Sequence, residues 1–292
     1  MRRFSDYNPI AVAVYFLCAA GTVMFSMNPV IILLSLIGAV VLLVTRNGSR
    51  ERGCLLSLAA AFVILALINP IFSHNGVTVL FVLNDIPFTF EAAVYGAAAS
   101  AMIVSALCWF RSFSQIMTSD RLLYLLGGIS PKLALIFSTA LRYVPLYRRQ
   151  AEKVKNAQKA LGLFDTETLS GQFRGNIRIF SVMVTWALEN GIITSDSMTA
   201  RGYGIGKRTY FTLYRFRRSD LFLLLSSLLL FSGTLLGTAL GALEFSYYPA
   251  ITGISLSPLA AAAYFSYGAL ALLPSFIQIQ GDIRWKYLLS KA

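Results

Sequence analysis

The sequence predicts an all-α integral membrane protein with about six transmembrane helices and long, crossed amphipathic cytoplasmic helices. Three observations predict this. Of 292 residues, 57% are hydrophobic and 13% are charged, whereas charged residues make up about 25% of an ordinary soluble domain. Charge-free runs recur at the length a bilayer demands, roughly 17–25 residues for about 30 Å of hydrocarbon. The 25 Lys and Arg, against 13 Asp and Glu, sit between those runs; a nucleic-acid binder would carry such an excess on a polar domain. A soluble enzyme is excluded on the same grounds.

The elements follow in order. From Pro9 to Thr45 no residue is charged, and Asn28-Pro29 divides the run into a tight hairpin of two spans, 10–27 and 30–45. Further spans fall at 54–72, 91–110, 221–243 and 256–279. Met1-Arg2-Arg3-Phe4 has the basic character of a secretion signal, but no small-residue cleavage site follows, so it reads as the start of a retained first span. Cys18, Cys54 and Cys108 stand singly in apolar stretches and read as small core residues.

Basic residues set the orientation, because loops rich in Lys and Arg stay in the cytoplasm. The amino end holds 2, the 46–53 loop 3, the 111–219 segment 17 and the carboxyl tail 3, which leaves none for the turn at Asn28, the 73–90 loop or the 244–255 loop. Both termini are therefore expected in the cytoplasm of a multi-pass cell-membrane protein. Segment 122–141 is apolar except for Lys132, but one extra crossing there would send the basic 142–218 region outside. Two short helices about Gly127-Gly128 and Pro131, lying in the interface or dipping into the membrane, are expected instead. Three regions result: 1–110 with four spans, 111–219 as a cytoplasmic and interfacial module, and 220–292 with two spans.

Membrane burial does not account for 142–218. There Val144, Tyr147, Ala151, Val154, Gln158 and Leu161 recur at steps of three and four, with Arg148, Arg149, Lys153, Lys155 and Lys159 on other faces. Pro145 should kink this helix. A second stripe runs Ile177, Phe180, Val184, Ala187, Gly191, Thr194, Met198 and Arg201. Its small middle, Ala187, Gly191 and Thr194, predicts a close crossing with another helix, near Ala151 of the first. The second helix should end at Ala200-Arg201-Gly202, with Gly just past the end and a cation at the negative end of the dipole.

Region 140–219, centred on Ala200-Arg201-Gly202-Tyr203-Gly204, resembles the coupling module of the transmembrane T component of energy-coupling-factor transporters, ABC-type importers of vitamins and metal ions. The early hairpin and Asn69-Pro70-Ile71-Phe72-Ser73-His74-Asn75-Gly76 are similar as well. The resemblance implies a non-catalytic subunit working with two ATPase subunits or domains and a substrate-binding S-type membrane subunit. It implies that each of two helix ends seats an arginine in a groove of one ATPase, near acidic groups. Arg201 takes that role directly. The first end departs, since Ala160-Leu161-Gly162 has Leu where arginine is expected. Either Lys159 or Lys155 substitutes, or the pocket on that side is apolar, which would suit two unlike ATPase partners. Membrane lipid is the remaining partner; nucleic acid and cofactors are not expected.

Other motifs are set aside. Gly202-Tyr203-Gly204-Ile205-Gly206-Lys207 fails as a phosphate loop because Arg201 stands where its first Gly is needed and no Ser or Thr follows the Lys. Glu91-Ala92-Ala93 with Gly96 echoes the coupling loop of ordinary ABC permeases but falls at the outer face, so it reads as chance. His74 reads as a turn residue, and Asp85 and Glu91 as solvated loop charges or as contacts for a substrate-binding subunit. Arg215, Arg217 and Arg218 read as topology anchors. An intramembrane enzyme or an ion-coupled carrier needs ionisable groups within the spans, and the six span interiors have none. The alternative left standing is a membrane assembly or scaffold protein without a transport role.

Overall fold

The computed structural model describes residues 4–47, 52–72, 76–83, 86–163, 168–206, 214–249 and 251–290; His74, Asp85 and Lys207 lie outside them. The described helices are α1 (Pro9–Phe25), α2 (Pro29–Asn47), α3 (Arg52–Phe72), α4 (Phe90–Ile116), α5 (Ser119–Ile129), α6 (Pro131–Ala160), α7 (Leu169–Ala200), α8 (Arg218–Ala239) and α9 (Pro258–Leu289). Two short strands, β1 (Val79–Leu83) and β2 (Ile86–Thr89), precede α4. The all-α membrane fold is borne out. The chain divides into two compact units, Met1–Ser119 with Tyr214–Ala292, and Asp120–Leu213.

Local chemistry sets the helix starts. α1, α2, α6 and α9 open on Pro, whose missing N–H is one the first turn leaves unused anyway. Asn8 Oδ1 accepts from Ile10 N and Asn28 Oδ1 from Val30 N, each at 3.0 Å, which caps α1 and α2.

In the first unit α1, α4, α2, α9 and α8 pack one on the next, α8 closes back onto α1, and α3 lies against α4. Six described helices are long and apolar enough to cross a membrane: α2, α3, α4, α7, α8 and α9. α1, at 17 residues, is shorter, yet it is the most enclosed, with Ala11, Val12, Tyr15, Ala19 and Val23 at 0% exposure. α7 meets the length and composition test although the sequence assigns it to the arm.

Bonds at the helix ends show that α1 and α8 start at one end of this unit, where α2 and α4 finish, and that α2 and α9 start at the other. At one end Asn8 N donates to Asp220 Oδ1 (3.0 Å), Phe4 N to Gln278 Oε1 (3.3 Å) and Arg46 Nη2 to Gln115 O (2.8 Å). At the other, Asn28 Nδ2 donates to Leu243 O (3.2 Å) and Tyr264 Oη (3.0 Å), and Tyr247 Oη to Met27 O (2.9 Å). Burial pushes the Tyr247 phenol up to about 12, with Tyr95 adding to the effect, so it keeps its proton for that bond. The first end gathers the amino end, the carboxyl-terminal part of α9, and both points where the chain leaves for and returns from residues 120–213. An even number of crossings follows for this unit.

Polar side chains inside the ring are bonded across it: Trp109 Nε1 donates to Ser35 Oγ (2.9 Å), Tyr15 Oη to Leu270 O (2.9 Å) and Tyr267 Oη to Ala19 O (3.2 Å). Asp220, which the sequence reading passed over, is wholly buried. Its second oxygen accepts from Arg217 N at 2.9 Å, so one carboxylate ties the start of α8 to the start of α1. Asp220→Ala strands the buried Asn8 N–H and removes the partner of the part-buried Arg217 N–H; a loss of about 1–3 kcal/mol is expected, read as a lower melting temperature of the detergent-solubilised protein, with Asp220→Asn recovering part of it.

Several expectations are corrected. The 73–90 loop contains an antiparallel hairpin, with Val79 opposite Thr89 and Leu83 opposite Ile86; Val-Leu-Phe-Val-Leu and Ile-Pro-Phe-Thr are rich in β-branched and aromatic residues, are separated by two residues, and carry Pro87 as a two-stranded sheet, all edge, allows. Glu91 is no solvated charge. It is buried, its Oε1 accepts from Thr78 Oγ1 at 2.6 Å and Thr78 N at 3.2 Å, and it ties the hairpin to the first turn of α4. At Pro131 one helix does end and another begin, but the second is not short: α6 is 30 residues long and includes Pro145.

Candidate functional site

The second unit is built around α6 and α7, which run antiparallel. Near the middle of α6, Tyr143 Oη and Thr194 Oγ1 share a hydrogen bond of 2.6 Å. Tyr147 stacks on Tyr143, with centroids 5.4 Å apart, and meets the Trp186 ring edge-on at 5.2 Å. At the far end Arg178 Nη1 donates to Leu163 O at 3.3 Å. The aromatic contacts are worth about 0.5–1.5 kcal/mol each beyond area burial, so they fix the register of the two helices.

The stripe along α6 falls close to where the sequence puts it: Tyr147, Ala151, Val154 and Gln158 are half-buried or buried. Val144 gives way to Tyr143 and stays 65% exposed. Along α7 the phase is corrected. Gly175, Ile179, Met183, Trp186, Ala187, Asn190, Thr194 and Met198 turn inward, while Ile177, Phe180 and Val184 are exposed. Trp186, which meets Tyr147, lies on this inward face together with Ile179 and Met183. Of the residues expected at the crossing, Ala151, Ala187 and Thr194 are half-buried. Gly191 is exposed, and a methyl group on it would meet nothing within 4 Å.

Both helices end in the same way. At the end of α6, Gly162 N donates to Lys159 O (3.0 Å) and Leu163 N to Gln158 O (2.9 Å). At the end of α7, Gly202 N donates to Thr199 O (3.0 Å) and Tyr203 N to Met198 O (3.0 Å). These are two Schellman caps, with the glycine left-handed in each, at φ 68° for Gly162 and 79° for Gly202. The residue before each glycine has nearly one conformation, φ −83°, ψ 0° for Leu161 and φ −82°, ψ 8° for Arg201. Ala160-Leu161-Gly162 and Ala200-Arg201-Gly202 are thus two tips of one shape that present different side chains. Leu161 is 72% exposed. Arg201 is exposed and makes no side-chain hydrogen bond or ion pair among the described residues.

The cap alone assigns no function, because α8 closes identically at Ala239-Leu240-Gly241, with Gly241 N on Thr238 O and Ala242 N on Gly237 O, both at 3.1 Å. What sets the first two apart is placement. Arg178 sits beside Leu163 at the first tip, and Arg201 is the second tip. Along α7 these arginines are 23 residues apart, about 35 Å at about 1.5 Å per residue. The hairpin therefore carries one tip at each end of a rigid spacer.

Sequence reasoning missed Tyr143 and Trp186; the spacing of four between Tyr143 and Tyr147 was the available signal. It also missed the third cap.

A 97-residue stretch is 36% identical to the energy-coupling factor transporter transmembrane protein EcfT of Listeria innocua. The stretch covers 32% of this chain, and the match spans 37% of the relative's own length. No family model matches the chain. Over that stretch the resemblance drawn from the sequence is borne out.

Proposed function

We propose that this chain is the transmembrane coupling subunit of an energy-coupling-factor importer, passing ATP-driven motion of two separate ATPase subunits or domains to a substrate-binding membrane subunit. The observation that carries the reading is the pair of like-shaped, exposed tips at opposite ends of one helical hairpin. A partner that engages both needs two sockets about 35 Å apart, the arrangement a pair of motor subunits offers. When the pair closes on ATP the sockets move, the tips follow, and α6 and α7 pass the displacement toward the membrane. Vitamins or metal ions are the cargo class the resemblance suggests, recognised by the other membrane subunit.

In this reading the first end of the membrane unit, with both termini, faces the cytoplasm, since the basic residues gather there. No covalent step falls to this chain. Affinity purification of the tagged protein from detergent tests the reading: two equivalents of ATPase and a small membrane subunit are expected to co-purify and to hydrolyse ATP. A monodisperse preparation that repeatedly lacks both, with the neighbouring gene products co-expressed, would favour a scaffold instead.

A further inference from the structure

At the second end of the membrane unit, where the chain turns from α1 into α2 and leaves α8, there is a cleft of about 600 Å³. Small-molecule sites usually occupy about 300–1,000 Å³. Phe25, Met27, Leu243 and Phe245 form its apolar walls, and Ser26 and Glu244 are among its polar groups. Glu244 is exposed, and its carboxylate has no hydrogen bond or ion pair among the described residues. No Lys or Arg falls in the 26–28 turn, the 73–90 loop or the 244–255 loop, so the loops on this side supply no basic counter-ion. Gly241 helps to fix where the carboxylate stands: Glu244 N donates to Gly241 O at 3.3 Å, and Glu244 Oε1 lies 3.5 Å from where a methyl group on Gly241 would be.

Ser26 is only 7% exposed. Its oxygen accepts from Asn28 N at 3.4 Å, and its hydroxyl proton has no acceptor among the described residues. Phe25 and Ser26 also bring the carbonyl end of α1 to the cleft, and the negative end of a helix dipole favours a cation. The start of α2 offsets little of this, since Pro29 has no N–H and that of Val30 is taken by Asn28 Oδ1 at 3.0 Å. The Phe245 ring is held edge-on to Tyr247, with centroids 4.8 Å apart.

A carboxylate, aromatic faces and a helix carbonyl end select a cation, and a buried hydroxyl proton needs an acceptor oxygen close to it. A calcium-like metal ion is poorly served, because it takes about six to eight oxygens and no three of His, Cys, Asp and Glu gather among the described residues. A primary ammonium is well served: it can donate to Glu244 and rest its charge on a ring. Position indicates the source. Phe25 is 95% exposed and Leu240, at the end of α8, 65%, so the cleft opens beside lipid-facing helix ends, at the level of the headgroups. We propose that it seats the headgroup of a phospholipid bearing a primary ammonium, with Glu244 as counter-ion and the Ser26 hydroxyl donating to a headgroup oxygen.

Native mass spectrometry of the full chain, released from nanodiscs of phosphatidylethanolamine, phosphatidylcholine and phosphatidylglycerol in equal amounts, tests this. Phosphatidylethanolamine should be retained in preference to the other two. Glu244→Gln removes the charge and keeps the shape of an exposed side chain, and should weaken that retention about fivefold. Glu189→Gln on α7 should leave it unchanged, with melting temperatures showing that both variants fold. Equal retention of the three lipids, or retention by Glu244→Gln equal to the parent's, overturns the proposal. Free ethanolamine at the concentration of the lipid should not displace it; displacement would make the ligand a soluble amine, and the assignment to lipid fails.

Discussion

Replacing Arg201 with Ala is expected to abolish substrate uptake while leaving the chain folded and its membrane unit intact. Arg201 lies on the exposed cap of α7, and among the described residues no side chain of this protein depends on it. Surface changes of that kind usually alter stability by no more than about 0.5 kcal/mol. The cap itself survives, since it is made by the N–H groups of Gly202 and Tyr203 on Thr199 O and Met198 O. At an interface an arginine anchor is commonly worth about 2–4 kcal/mol, or about 30- to 1000-fold in affinity. Arg201→Lys should recover only a small part, because an ammonium carries charge without the planar fork that fixes direction, and a lever has to transmit direction. Uptake by proteoliposomes, with the melting temperature of the purified chain as control, separates the two effects. Normal uptake by Arg201→Ala in an intact complex would overturn the assignment of this tip.

The sequence made the membrane helices legible because each is a long run without charge, bounded by Pro, Asn or basic residues. The same is true of the helix ends at Gly162 and Gly202, where a glycine supplies the left-handed conformation that turns the chain out of the helix. The hairpin before α4 was hidden because its strands are four and five residues long, too short for alternation to stand out from the apolar spans around it. Glu91 and Asp220 were hidden for another reason. Their roles depend on N–H groups supplied by segments far away in the chain, Thr78 in one case and Asn8 in the other, and no local pattern records that. The phase of α7 was misread because aliphatic residues lie on both faces of that helix, and the face that turns inward carries Trp186 and Thr194, whose partners Tyr147 and Tyr143 lie far away in the chain.

Glycines divide by the same logic, and the division gives two substitutions of opposite expected sign. Alanine is preferred over glycine within a helix by about 0.5–1 kcal/mol, so Gly→Ala stabilises wherever its methyl group finds room. At Gly191 it does: nothing lies within 4 Å, and Gly191→Ala should raise the melting temperature slightly. At Gly38 it does not. A methyl group there would lie 2.7 Å from Ala271 Cβ and 2.9 Å from Ala271 O. The second of these is backbone, which cannot rotate aside, so α2 and α9 would have to separate. These two helices pack along the wall of the ring, and inside a membrane such a seam is held mainly by close packing, since lipid tails compete for the same apolar surface. Overpacking of this kind costs about 1–3 kcal/mol, which exceeds the propensity gain. Gly38→Ala should therefore lower the melting temperature, and Gly38→Leu should leave little folded protein in the detergent extract. A stabilising Gly38→Ala would mean that α2 and α9 do not approach this closely, and the ring described for the membrane unit would have to be redrawn.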